Sequence, residues 1–77
     1  MAAKAFVLIE TSVGKSREVV TALKVLEGVT SVDAVTGPYD VIAVIQSENL
    51  NEIGDVVTDR MHPISGISRT VTCLAIL

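Results

Sequence analysis

Apolar residues follow two alternating patterns along this chain. Ala5-Phe6-Val7-Leu8-Ile9-Glu10 is a continuous apolar run ending on a charge, which predicts a strand. Ser12-Val13-Gly14 breaks it. From Arg17 to Glu27, Val19, Ala22, Leu23 and Leu26 recur at i, i+3, i+4 and i+7, one face of an amphipathic helix. Gly28 suits the left-handed position after a last helical turn. Val29 to Thr36 predicts a second strand, with Thr30, Val32, Ala34 and Thr36 on one face and Ser31, Asp33 and Val35 on the other. Gly37-Pro38-Tyr39 reverses the chain, since Pro38 has no N–H to give a ladder. Val41 to Ile45 is an all-apolar third strand. Asn49 and Glu52 have the spacing of a capping box, and Leu50, Ile53, Val57 and Met61 mark the buried stripe of a second helix. Pro63 stops that helix and Ser65-Gly66 turns the chain. Ile67 to Leu77 is the last strand. Ser68, Thr70, Thr72, Leu74 and Ile76 share one of its faces; Arg69, Val71, Cys73, Ala75 and Leu77 share the other.

The order is βαββαβ, and it contains a weak internal repeat. Ala5 to Thr11 aligns with Val41 to Ser47, and Leu26-Glu27-Gly28-Val29 with Ile64-Ser65-Gly66-Ile67. Two βαβ units with right-handed crossovers predict an α+β, ferredoxin-like fold. Its four-stranded antiparallel sheet has the order 4-1-3-2, with two helices on one face. Residues 1–77 form a single αβ domain in this reading.

The second sheet face is the difficulty. A strand with one wet face alternates polar and apolar residues, and the first and third strands do not. A second chain is therefore expected to bury that face, giving a dimer. Size points the same way. A domain of 77 residues buries only about 60–65% of its unfolded surface and needs a staple. One cysteine makes no internal disulfide, and one histidine with one cysteine makes no structural zinc site. The apolar content, 49% of residues with only 3% aromatic, is Val, Ile, Leu and Ala suited to two-sided sheets.

Charge removes two classes of partner. Six basic residues against nine acidic give −3, and Lys4, Lys15, Arg17, Lys24, Arg60 and Arg69 are scattered, so direct nucleic-acid contact is not expected. No apolar run approaches the ~20 residues of a membrane span. Met1-Ala2-Ala3-Lys4 lacks the layout of a signal peptide, so a cytoplasmic protein is expected.

Val35-Thr36-Gly37-Pro38-Tyr39-Asp40-Val41 resembles the Gly-x-x-Asp motif that precedes an apolar strand in the ligand-binding (RAM) domain of the Lrp/AsnC family of amino-acid-responsive transcription regulators. Leu26-Glu27-Gly28-Val29 and Gly66-Ile67-Ser68-Arg69-Thr70-Val71-Thr72 support the resemblance, which spans nearly the whole chain. It implies dimers that assemble into rings of dimers, with an amino acid or similar small effector at an inter-subunit interface. The family's regulators carry an N-terminal helix-turn-helix domain, whereas this sequence begins at the first strand. The expectation is therefore a stand-alone domain that does not bind DNA, acting alone or with a full-length Lrp/AsnC regulator.

Mapped residue by residue, the resemblance places the ligand site on Gly37, Pro38, Tyr39 and Asp40. Asp40 can accept from an ammonium group, and the N–H groups of Gly37 and Tyr39 can donate to a carboxylate. Thr70 and Thr72 add hydroxyls, from this chain or a neighbouring one. The plainer reading is that Asp40 caps the turn and Tyr39 packs at the rim. No catalytic residue, metal or cofactor is expected. His62 has no Ser, Cys or acid at a recognisable spacing and reads as a structural helix-end residue; Cys73 reads as a buried thiol. Glu48, Glu52, Asp55 and Asp59 fall on one helical stripe, a solvated face or a dock for a basic partner. Arg69 has no evident local partner. An ACT-like regulatory module and an enzyme of the dimeric α+β barrel kind share the βαββαβ order and stand as alternatives.

Overall fold

The structure, a computed structural model, describes residues 2–77. Met1, where the expected domain begins, lies outside the described residues. The elements run β1 (Ala3–Thr11), α1 (Ser16–Lys24), β2 (Val29–Ala34), β3 (Val41–Ser47), α2 (Leu50–Asp55) and β4 (Ile67–Leu74). α2 continues without a break into a π-helical stretch, Val56–Met61. The sheet is antiparallel with order β2-β3-β1-β4, the expected 4-1-3-2 read from the other edge.

The core lies between the sheet and the helices. Ala5, Val7 and Ile9 of β1 and Val41, Ala43 and Ile45 of β3 have no exposed surface, and they meet Val19 and Leu23 of α1 and Ile53, Val56, Val57 and Met61 of the second helix. The all-apolar strands therefore occupy the two central positions, where both faces need apolar residues. Full burial of each such side chain contributes about 1.5–3 kcal/mol.

Every element differs from the sequence reading in its bounds, β1 running from Ala3 to Thr11 and β3 on to Ser47. α1 ends at Lys24 rather than Glu27, and Leu26 packs on the core from a turn. β2 and β4 end at Ala34 and Leu74, earlier than expected. Leu50 is 57% exposed, and Val56 takes its place in the buried stripe. Leu50 is the first residue of α2, whereas Val56 follows Ile53 by three residues and still bonds back to Glu52 O with α-helical spacing; beyond it the helix widens, as in His62 N–H to the Val57 carbonyl at 3.0 Å. Cys73, expected buried, is exposed, because β4 is an edge strand and Cys73 points to the face without helices.

That open face carries Phe6 and Leu8 of β1, Ile42 and Val44 of β3, and Val71 and Cys73 of β4, since residues directly opposite in an antiparallel sheet share a face. Lys4 lies over the Phe6 ring at 5.2 Å from its centroid, and Glu10 pairs with Arg69 at 3.5 Å. Arg69 thus has a partner on its own chain.

The repeat seen in the sequence is a structural one. Leu26 N–H bonds to Leu23 O and Val29 N–H to Leu26 O; Ile64 N–H bonds to Met61 O and Ile67 N–H to Ile64 O in the same way. Each turn ends on a glycine with positive φ, +92° at Gly28 and +100° at Gly66. Each following strand then bulges one residue on, at Thr30 and Ser68. The two bulge hydroxyls each bond a carbonyl of the neighbouring central strand, Thr30 Oγ1 to Val44 O at 3.2 Å and Ser68 Oγ to Glu10 O at 3.0 Å, a match two residues out of step with the sequence repeat in the strands.

Candidate functional site

The β2–β3 turn is held by its acid. Val35 N–H donates to Asp40 O, and Asp40 N–H donates to Ile9 O, both at 2.9 Å. Gly37-Pro38 carries the chain away from β1 before it can offer a carbonyl to Thr11. The Asp40 carboxylate substitutes for it, with Oδ2 accepting from Thr11 N–H at 2.8 Å. Asp40 is half-buried, and its second oxygen has no protein partner among the described residues. One Asp40 oxygen thus ties the turn to Thr11 of β1 rather than capping an N–H of the turn itself. Tyr39 is half-buried at the rim, and Gly37 and Pro38 are exposed.

Thr70 and Thr72 lie elsewhere. They stand on the helix-bearing face of β4, opposite Ile9 and Val7. Asp40 bonds Ile9 from one side of β1 and Thr70 pairs with Ile9 from the other. Two strand spacings, about 9–10 Å, separate them. The six predicted residues thus form two groups within one chain, on opposite sides of β1.

Thr70 has a neighbour that sequence reasoning set apart. His62 Nε2 lies 3.1 Å from Thr70 Oγ1. His62 follows the π-helical stretch directly and precedes Pro63. His62, Ile67, Ser68, Arg69 and Thr70 line a notch of about 240 Å³ at the sheet edge.

The acidic stripe is altered by the same geometry. Glu48, Glu52 and Asp55 line an open groove of about 590 Å³ with Glu27, Gln46 and Arg60, while Asp59 does not. Glu52 also accepts from Glu48 N–H at 3.2 Å and from the Ser47 hydroxyl, while Asn49 Oδ1 accepts from Glu52 N–H at 3.0 Å. The predicted capping pair is thus present, with Glu48 rather than Asn49 giving the returning N–H.

The family model for the Lrp/AsnC ligand binding domain matches residues 4–76. The chain belongs to the Lrp/AsnC ligand-binding domain family. It is 34% identical over 59 residues to an uncharacterised helix-turn-helix-type transcriptional regulator of Pyrococcus horikoshii, a match spanning 77% of this chain and 39% of that protein. The chain thus matches well under half the length of the curated regulators it resembles. Among solved structures, TTHA0845 of Thermus thermophilus is 36% identical with a TM-score of 0.92, covering 97% of this chain and 94% of that one. A Neisseria meningitidis transcriptional regulator solved with L-methionine is 18% identical with a TM-score of 0.86, covering 97% of this chain and 50% of that one, and shows the shared fold. As an Lrp/AsnC ligand-binding domain, the chain is an effector-binding regulatory domain. No helix among the described residues is long and apolar enough to cross a membrane.

Proposed function

We propose that this Lrp/AsnC domain is a non-catalytic, cytoplasmic sensor in which an amino acid, or a similar small effector, binds between subunits. The observation that carries the reading is the split between Asp40 and Thr70. Each group is an incomplete wall, and a site that joins them needs the turn Gly37–Asp40 of one copy beside Thr70 and Thr72 of another. The free oxygen of Asp40 accepts from the ammonium, and the N–H groups of Gly37 and Tyr39 are available as donors. Methionine bound to the neisserial regulator supports an amino acid as the ligand class. Binding then acts by favouring the assembly state that completes the site.

The open sheet face supports the first step of that assembly. Phe6 is 38% exposed, and Leu8, Ile42, Val44 and Val71 are only partly covered in a single chain. A second copy packed face to face would remove this patch from water, and dimers joined through the effector walls would build a ring. A full-length regulator of the same family could replace one copy.

Thermal-shift and calorimetric screening with the twenty amino acids tests the reading. A response in wild type that Asp40→Ala abolishes is expected. A response unchanged by that substitution, or none at all, overturns it.

A further inference from the structure

The internal repeat supplies a control for the corner where β1 turns into α1. The alignment of Ala5 to Thr11 with Val41 to Ser47 sets Thr11 against Ser47 and, at the same offset, Ser16 against Glu52. Both pairs are bonded. Thr11 Oγ1 lies 2.9 Å from Ser16 Oγ, and the Ser47 hydroxyl donates to the Glu52 carboxylate. Each central strand thus ends on a hydroxyl that reaches five residues on, to the first turn of the helix that follows. The chemistry of the two corners differs. Glu52 supplies its corner with an acid from its own helix, and the same oxygen accepts from Glu48 N–H at 3.2 Å. Ser16 has no acid to give. The corner at β1 takes one from outside, the Asp40 carboxylate, which accepts from Thr11 N–H at 2.8 Å.

Thr11 is thereby held at two atoms, its N–H by Asp40 and its hydroxyl by Ser16. Asp40 is held at two as well, since its own N–H donates to Ile9 O at 2.9 Å. The chain beyond is fixed in turn. Ser12 N–H donates to Gly66 O at 2.8 Å, and Lys15 N–H to Ser12 O at 3.0 Å. Thr11, Ser16 and Asp40 are half-buried, whereas Glu52 is exposed. Hydrogen bonds among partly shielded groups are stronger than the same bonds in water. An acid at position 16 would reach toward Thr11 as Glu52 reaches toward Ser47, and would bring a second carboxylate to the one already there. Two carboxylates sharing a site disfavour each other's charged form.

We propose that Thr11 and Ser16 are positioning residues for Asp40. Their hydroxyl pair fixes the Thr11 N–H on which the carboxylate is held, and the neutral side chain at position 16 leaves that N–H to Asp40. The consequence for binding rests on the effector reading above, in which the second oxygen of Asp40 receives the ammonium. The placement of Asp40 does not depend on that reading.

The test starts with ¹⁵N,¹³C-labelled protein and the scalar coupling across the hydrogen bond from Thr11 N–H to the Asp40 side-chain carboxyl carbon. The coupling is expected in wild type and in Thr11→Ser, which keeps the hydroxyl. In Ser16→Glu it should vanish; an acid in a first helical turn suits the helix dipole, so the fold is retained. Exchange of the Thr11 amide should be at least fivefold faster in Thr11→Val and in Ser16→Ala. The double variant should be no faster than either, since both changes remove the same bond. No coupling in wild type, a coupling that survives Ser16→Glu, or an exchange rate unmoved by Ser16→Ala overturns the proposal. The amino-acid screen separates the two readings. Affinity for a responding amino acid should fall at least fivefold in Ser16→Glu with the urea midpoint unchanged, and be kept in Thr11→Ser. An intact coupling without any amino-acid response leaves the placement of Asp40 and removes the effector. An amino-acid response that Ser16→Glu and Thr11→Val leave intact removes the positioning role and leaves the effector.

Discussion

The first half of this domain, β1-α1-β2, and the second, β3-α2-β4, share a plan and differ in how their ends close. Val19 stands over Gly66 as Val56 stands over Gly28. At Gly66 the fit is tight. A Cβ added there would sit 2.9 Å from Lys15 Cβ and 3.1 Å from Val19 Cγ2. At Gly28 the nearest atom would be Val56 Cγ2, at an ordinary 3.6 Å. Ser12 N–H closes the first end onto Gly66 O at 2.8 Å, and Gln46 N–H reaches Gly28 O at 3.0 Å beside the open groove. The lesson is that one supersecondary plan can be sealed by a regular α-helix and opened by a helix whose period has been stretched. The open cavities, and the polar residues around them, gather on the π-helical half.

The largest expected effect concerns what both halves share, the open face. Leu8→Glu places a carboxylate in the middle of the apolar patch while leaving the helix-covered core intact. Sedimentation at micromolar concentration should show wild type as a dimer or larger and the variant as a monomer. A monomeric wild type would break the assembly half of the proposal.

The next effect bears directly on the closed and open ends. Gly66→Ala meets both a left-handed backbone and a close contact, and should destabilise the fold by about 2–4 kcal/mol. Gly28→Ala meets only the backbone cost, about 1–2 kcal/mol. Urea unfolding of the two variants measures the difference. Equal losses would show that the ends are packed alike. Because a domain of this size has only a few kcal/mol in hand, Gly66→Ala is expected to be substantially unfolded at 37 °C.

The helix starts give a smaller contrast. Asn49 caps α2 through its side chain, whereas Lys15 at the start of α1 makes no side-chain cap. Asn49→Ala should cost about 1 kcal/mol in urea unfolding. An unchanged midpoint would mean that Glu52 alone satisfies that helix end.

The smallest effects test the symmetry itself. Thr30→Val and Ser68→Ala each remove one bond from a bulge hydroxyl to a central-strand carbonyl. Each should cost about 0.5–1.5 kcal/mol, and the two costs should match within a few tenths. A marked difference in chemical denaturation would show that one bulge is held by something other than its hydroxyl.

The strands and the helix order were legible in the sequence because a half-buried strand and an amphipathic helix write different periods into it. Val19 and Leu23 on α1, and the unbroken apolar runs of β1 and β3, led directly to the core and to the central sheet positions. The α2 stripe was read less well. The helical period marks Leu50 for the core, but as the first residue of α2 it stays exposed, while Val56, three residues after Ile53, is buried. Nothing local announces that change; packing of Val56, Val57 and Met61 under the sheet decides it. Cys73 was misplaced for a related reason, since a strand's two faces look alike until its neighbours are known. For the candidate site, Asp40 and the turn were legible from Gly37-Pro38, and the pairing of His62 with Thr70 was not. They stand eight positions apart, with a proline, a turn and a bulge between them.

The amino-acid sequence by itself determined the βαββαβ order, the repeat, the core of β1 and β3 and the apolar second face, since each is a matter of local period and composition. Only the tertiary structure decided that Asp40 caps Thr11, that Asp40 and Thr70 stand on opposite sides of β1, and that His62 meets Thr70. Those contacts join residues distant along the chain, and their distances depend on strand pairing, on two bulges and on a helix that widens before Pro63.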